Sequence, residues 1–242
     1  MNPVIVVGSG LAGITAIREF RKLDATTPVL LVTGDDGDFY SKPALSNAFA
    51  QGKSAEQLVV TAASALSASL NITLLARTEV KSIRTAERVV ETRHGVHPYS
   101  KLVLALGADP IRLPLGGNAA HEVLSVNSLD DYRVFRHRLH AVRHVAILGG
   151  GLIGSEFAND LAGAGFAVTV IDPSPYPIAG LLPPPAGEAL GTALEAQGVH
   201  GIFRRSVKNV DVATAGFLLT LDDGSQLQAD LVLSAVGLRP RT

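Results

Sequence analysis

The apolar positions of this chain fall into short runs of two alternating kinds. Val4, Ile5, Val6 and Val7 form a continuous β-branched run, the pattern of a parallel strand covered on both faces. After glycines at 8, 10 and 13, Ile14, Ile17, Phe20 and Leu23 recur at helical spacing and predict an amphipathic helix. Residues 28–32 and 71–76 predict two more strands. From residue 80 to 106 the alternation, broken by turn signals at Thr85-Ala86 and His94-Gly95, predicts a β-meander closed by a strand at 101–106. Asp109-Pro110, Leu113-Pro114 and Gly116-Gly117 read as a linker.

The opening pattern then returns. A helix is predicted over 129–142, and a strand at 144–148 runs into Gly149-Gly150-Gly151-Leu152-Ile153-Gly154. The helix that follows turns Ile153, Phe157 and Leu161 inward, and the next strand, 167–171, ends at Asp172. A proline-rich loop over 173–185, a helix over 186–197, a meander over 207–230 with a hairpin signal at Asp223-Gly224, and a strand over 231–236 complete the copy. KLVLALGADP in the first half answers DLVLSAVGLRP in the second. Such matching grammar marks an internal duplication. The predicted fold is α/β: two successive Rossmann-like dinucleotide-binding domains, residues 1–110 and 111–242, each a parallel sheet with flanking helices and a β-meander.

Both glycine loops fit G-x-G-x-x-G, and each sits between a strand and a helix, the context the motif requires. In the first loop Gly8 allows the tight turn, Gly10 lets the backbone approach a pyrophosphate, and Gly13 lets the helix pack close to the strand. Ser9, Leu11 and Ala12 complete that loop, as Leu152 and Ile153 do in the second, where Gly149, Gly151 and Gly154 take the three glycine roles. The helix N-terminus behind each loop offers free N–H groups to phosphate. A glycine turn of purely structural use is the plainer alternative. Two loops imply two dinucleotides, and the economical pair is a flavin and a nicotinamide cofactor, since a hydride can pass between their rings.

An acid about 20 residues past the glycines binds the adenosine ribose in this fold. Asp172 stands at that distance, and because no arginine follows closely, it favours NAD(H) over NADP(H). In the first half Asp35 comes slightly late, so Thr33 or Gly34 is placed nearer the ribose; Asp36-Gly37 reads as a turn. Lys42 precedes Pro43, which predicts an extended residue just before a short helix, where its cation can face a cofactor ring. From spacing alone, a surface lysine is the simpler reading. Glu156 is placed in the first turn of the second loop's helix, where it either balances the helix dipole or points at a nicotinamide. His137, His140 and His144 are placed on one helical face beside Arg133, Arg136 and Arg138. With no carboxylate there, that face reads as solvated or as a docking patch rather than a metal site.

Composition narrows the chemistry. Of 242 residues 47% are hydrophobic, the net charge is −1, and cysteine is absent. The charge balance asks for neither nucleic acid nor an anionic membrane. No apolar run is long enough to span a bilayer, and no signal peptide is expected, so the predicted location is cytoplasmic. Without cysteine there is no thiolate metal site and no dithiol relay, and redox chemistry must use a bound cofactor.

GSGLAG at 8–13, FYSKPALSNAFAQGK at 39–53, TEV at 78–80, LALGADP at 104–110, GGGLIGSEFAND at 149–160 and AVGLRP at 235–240 together resemble the flavoprotein reductases with two dinucleotide-binding domains, in their rubredoxin reductase branch. The second of these motifs is the discriminating one. The resemblance implies FAD on the N-terminal loop, with Thr33 and Gly34 near the adenosine, Val80 touching the adenine through its backbone, and Ala105 and Gly107 in the same site. It implies NADH on the second loop with Asp172 and Gly237, and Lys42 and Glu156, paired with each other, as the catalytic residues. The acceptor it implies is rubredoxin, a small iron protein; ferredoxin is the alternative, and a redox-inert dinucleotide-binding module is the alternative of another class. Chains of this type continue with a segment returning to the flavin domain and an interface domain. This sequence stops at Thr242, which reads either as a truncation or as a cofactor-poor relative.

Overall fold

In the computed structural model, which describes residues 1–241, the opening β-branched run is strand β1 (Val4–Val7), followed by helix α1 (Leu11–Leu23) and strand β2 (Val29–Val32). Two short strands, β3 (Phe39–Tyr40) and β4 (Val59–Thr61), pair antiparallel, and helix α2 (Ala63–Leu70) leads into β5 (Thr73–Leu75). The expected meander is β6 (Val80–Arg84), β7 (Val89–Thr92) and β8 (Gly95–Pro98), and β9 (Lys101–Leu104) closes it. The main sheet is parallel, in the order β5-β2-β1-β9.

Strand alternation decides which face each side chain joins. Ile5, Val7, Leu30 and Val32 pack with Val90 and Tyr99 under the meander, while Val6, Val29 and Leu31 pack with Ile14, Ile17 and Leu66 under α1 and α2. Leu23, the last apolar position of α1, is 89% exposed. Steps of three residues drift about 60° backwards per step at 100° per residue, so three steps carry Leu23 to the side opposite Ile14.

The chain leaves this unit through β10 (Ala108–Pro110) and rebuilds the same plan. Helix α3 (Leu129–Arg138) is followed by strand β11 (His144–Leu148), helix α4 (Leu152–Gly163) and strand β12 (Ala167–Asp172). Helix α5 (Pro184–Ala196) starts two residues before its expected bound, because proline is tolerated where no intrahelical N–H bond is needed. It leads to strand β13 (Val199–Phe203), then to the meander β14 (Val207–Val212), β15 (Phe217–Leu221) and β16 (Gln226–Ala229), and to the closing strand β17 (Leu231–Ser234). This second sheet is parallel, in the order β13-β12-β11-β17. Its core joins Ala146, Leu148 and Ile171 to Val210, Phe217 and Leu219 of the meander. Phe135 of α3 meets Phe157 of α4 edge to face at 5.5 Å, both fully buried, each worth roughly 1.5–3 kcal/mol in burial alone. β18 (Leu238–Pro240) ends the described strands.

The molecule divides into two units that are not contiguous in sequence. One comprises Met1–Ser41, Val59–Ala108 and the last residues from Pro240; the other comprises Lys42–Leu58 and Asp109–Arg239. Thr242, the end of the second expected domain, lies outside the described residues.

Candidate functional site

The two glycine loops are built alike, glycine by glycine. Gly8 and Gly149 have φ of +107° and +105°, and a Cβ there would meet the carbonyl oxygens of Ala105 at 2.1 Å and Ala235 at 2.8 Å. Gly13 and Gly154 lie so close to the turn that a Cβ would fall 2.0 Å from Gly8 O and 1.9 Å from Gly149 O. The middle glycines are the exception. A Cβ on Gly10 or Gly151 would meet nothing within 4 Å, so nothing in the protein's own packing requires glycine there. That open space is where a pyrophosphate would lie against the backbone.

Gly10 and Gly151 are also the N-caps of α1 and α4, with no side-chain cap and no acidic residue in the first turn of either helix. The leading N–H groups and the positive dipole end therefore remain available to an anion. Leu11 and Leu152, each the first helical residue, are exposed beside them, and Ala12 and Ile153 follow. Ala105 and Ala235 continue the closing strands, donating their N–H to Val7 O (2.8 Å) and Leu148 O (2.7 Å). Two residues on, Gly107 (φ +71°) and Gly237 (φ +110°) both take the left-handed conformation.

The register fixes which residues correspond at the ends of β2 and β12. Gly8 N–H donates to Val32 O (2.8 Å) and Gly149 N–H to Ile171 O (2.9 Å), so the next residues, Thr33 and Asp172, are equivalent. Asp172 accepts from Gly150 N–H (2.6 Å) and Ser174 N–H (2.7 Å), which fix its carboxylate at the loop. In the first unit, Asp35 accepts from Ser9 Oγ (2.8 Å), Thr33 Oγ1 (2.7 Å) and Gly37 N–H (3.0 Å). Gly34 is exposed beside this network, and half-buried Val80 packs with the cluster under the first meander.

Lys42 and Glu156 both belong to the second unit. Lys42 opens the 3-10 turn Lys42–Ser46 rather than preceding it, is exposed, and donates from Nζ to Asn127 Oδ1 at 3.2 Å. Glu156 lies in the second turn of α4, not the first, because the helix starts at Leu152. It accepts a hydrogen bond from Ser46 Oγ. The dipole-balancing reading of Glu156 therefore falls, since the dipole effect fades beyond the first turn. Among the described bonds, Lys42 thus reaches Asn127 and Glu156 reaches Ser46.

Residues 42–58 form a strap over α3 and α4. Asp160, one turn after Glu156 and only 6% exposed, accepts from the N–H groups of Phe49 (2.8 Å) and Ala50 (3.1 Å). Burial pushes its carboxyl above the ordinary aspartate value, against the two N–H donors and Arg136, which pull it down. Tyr132 Oη donates to Lys53 O (3.1 Å), as does Arg136 Nη1 (2.7 Å), and the Arg136 guanidinium lies 4.8 Å from the Phe49 ring centre. Sequence reasoning missed Ser46 and Asp160. The signal was present: Ser46 lies inside the discriminating motif, and Asp160 shares a helix face with Glu156 at i, i+4.

The histidine face does not form. α3 ends at Arg138, Val142 is extended, and His144 starts β11, where its ring bonds Thr169 Oγ1 at 2.9 Å. Among the described residues no group of three metal-binding side chains gathers. The arginines expected as a docking patch are engaged within the unit: Arg133 with Glu56 (2.8 Å) and Asp130 (2.6 Å), Arg136 with the strap, and Arg138 with Glu122 (3.1 Å).

Comparison with known proteins agrees with this geometry. The model of the family described as pyridine nucleotide-disulphide oxidoreductase matches residues 2–242. The chain is 46% identical over 242 residues to rubredoxin-NAD(+) reductase of Alcanivorax borkumensis, covering 100% of this chain and 63% of that protein. It is 44% identical over 248 residues to the protein of the same name from Acinetobacter baylyi, covering 99% of this chain and 63% of that one. The chain thus spans about 63% of the length of these curated relatives. Among solved structures, the covalent putidaredoxin reductase–putidaredoxin complex aligns with a TM-score of 0.89 at 28% identity, over 99% of this chain and 59% of that chain. With its paired glycine loops and a family match over nearly every residue, the chain belongs to the pyridine nucleotide-disulphide oxidoreductase family.

Proposed function

We propose that the chain carries the FAD- and NADH-binding units of a flavoprotein reductase of the rubredoxin reductase type. The observation that carries this reading is the pair of open middle glycines, Gly10 and Gly151, each on an uncapped helix N-terminus above a parallel sheet. FAD is assigned to the first unit, on residues 8–13 with Thr33, Gly34, Asp35, Val80, Ala105 and Gly107. NADH is assigned to the second, on Gly149, Gly151, Leu152, Ile153, Gly154, Asp172 and Gly237.

When bound, these cofactors supply hydride transfer from nicotinamide to flavin and single-electron delivery onward. The loop N–H groups hold the pyrophosphates, and Asp172 accepts from a ribose hydroxyl. The Lys42 ammonium supplies a positive charge that stabilises an anion. Glu156, oriented by Ser46, is assigned to the nicotinamide end. No cysteine occurs in these 242 residues, so no dithiol of this chain takes part. The acceptor is a small iron protein, with rubredoxin favoured by the two relatives at 46% and 44% identity. A ferredoxin is the second reading, favoured by the likeness to a solved ferredoxin reductase from Rhodopseudomonas palustris, with a TM-score of 0.90 at 25% identity over 98% of this chain and 59% of that chain. No helix among the described residues is long and apolar enough to cross a membrane, and the proposed location is the cytoplasm.

The test is the visible spectrum of the protein incubated with FAD and desalted, then titrated anaerobically with NADH. Retained flavin bands that bleach with NADH support the reading; a colourless protein supports the redox-inert alternative. Faster turnover with ferredoxin than with rubredoxin would replace the acceptor.

A further inference from the structure

The duplication extends to an arginine beyond the third strand of each sheet. In the first unit, where Leu75 pairs with Val32, Arg77 N–H donates to Asp35 O (2.6 Å) and Thr78 N–H to Thr33 O (2.7 Å). In the second, where Phe203 pairs with Asp172, Arg204 N–H donates to Ser174 O (3.0 Å) and Arg205 N–H to Asp172 O (3.2 Å). Since Thr33 corresponds to Asp172, Arg77 corresponds to Arg204. Both take the left-handed conformation, at φ +49° and +62°, which is uncommon for a residue with a side chain.

Their charge environments differ. Arg77 pairs with Asp36 Oδ2 at 3.3 Å. Counted from Thr33 and Asp172, the counterpart of Asp36 is Pro175, which offers no carboxylate. Arg205 is held by Asp223 Oδ2 at 2.5 Å. Among the described residues no carboxylate pairs with the exposed Arg204 guanidinium. An unpaired arginine thus sits one residue from the main-chain bond to Asp172, at the end of the sheet where the adenosine ribose is assigned.

We infer that Arg204 is a second specificity-determining residue of the dinucleotide site, a cation able to hold a 2′-phosphate on the adenosine ribose that the Asp172 carboxylate keeps out. Asp172, pinned by two N–H donors, cannot swing away from an incoming phosphate dianion. Once that carboxylate is removed, the guanidinium provides the fork geometry that suits phosphate. One substitution, with no added arginine, is then enough to admit the phosphorylated cofactor. This rests on the reading of the second unit as the NADH site.

The experiment measures binding of 2′,5′-ADP, 5′-AMP and NADH by isothermal titration calorimetry. It compares the unaltered chain with Asp172→Ser, Asp172→Ser/Arg204→Gln and Asp172→Ser/Arg204→Lys, with melting curves to show that each folds. Asp172→Ser should gain about tenfold or more in affinity for 2′,5′-ADP over 5′-AMP, as one charge-assisted contact allows. The gain should vanish with Arg204→Gln, survive in part with Arg204→Lys, and shrink with added salt. A gain that persists without Arg204 overturns the inference, as does no gain in a variant that still binds 5′-AMP. An unaltered chain that binds neither NADH nor 5′-AMP refutes the NADH-site reading itself.

Discussion

Replacing Gly151 by alanine separates what the fold needs from what a dinucleotide needs. Gly151 has φ −73° and ψ −169°, which any residue can adopt, and its added Cβ would meet no atom within 4 Å. The folded protein should therefore accept alanine. Reduced freedom of the unfolded chain should stabilise it by about 0.4–1 kcal/mol. The same methyl group occupies the space a pyrophosphate needs. Each charge-assisted N–H bond to phosphate that it blocks is worth roughly 1.5–3 kcal/mol, which corresponds to about 10- to 100-fold in Kd. The expected result is an unchanged or slightly raised melting temperature, with NADH affinity by calorimetry down at least about tenfold. Gly154→Ala is the contrast, since its Cβ would fall 1.9 Å from Gly149 O and the chain should melt well below the unaltered protein. A Gly151→Ala protein that binds NADH with full affinity would refute the placement of the pyrophosphate.

Lys42→Met should slow reduction of bound flavin by NADH, followed by stopped-flow, more than it weakens FAD retention; equal rates would remove Lys42 from its assigned role. Asp230 takes N–H bonds from Arg143 (2.8 Å) and His144 (2.9 Å), which hold its carboxyl below the usual aspartate value. Its contribution is present above that usual value and lost as pH falls through the lowered one, so Asp230→Ala should flatten the acid limb of melting temperature against pH. Asp160 carries the opposite sign, because burial raises its carboxyl. Its folded form binds the extra proton, so stability declines as pH rises from the ordinary aspartate value through the raised one. Asp160→Asn should abolish that decline while speeding hydrogen exchange at the Phe49 and Ala50 amides, and an unchanged pH profile would contradict the assignment.

Much of this architecture is readable in the residues themselves. β1 and β2 are pure β-branched and leucine runs, and β11 and β12 are built mainly of such residues, the composition that buried parallel strands favour. The glycine loops follow from local geometry that only glycine satisfies at positions 8, 13, 149 and 154. Residues 47–70 were not legible, because β3 and β4 are two and three residues long and α2 is an alanine-serine helix without a strong apolar stripe. The strap was also hidden, since Ser46 meets Glu156 across 110 positions of chain and no local pattern announces such a contact. Linear distance misled at Arg204. No arginine closely follows Asp172 along the chain, yet strand pairing brings Phe203 beside it and Arg204 next to that. The three histidines failed for a simpler reason: the helix stops before the last of them.

The central claim is that the duplicated loops bind two different dinucleotides on one chain. Equilibrium dialysis against FAD and NADH, separately and together, counts them. The account predicts one equivalent of each per chain, with neither displacing the other. Competition for a single site, or failure to bind either compound, would contradict it.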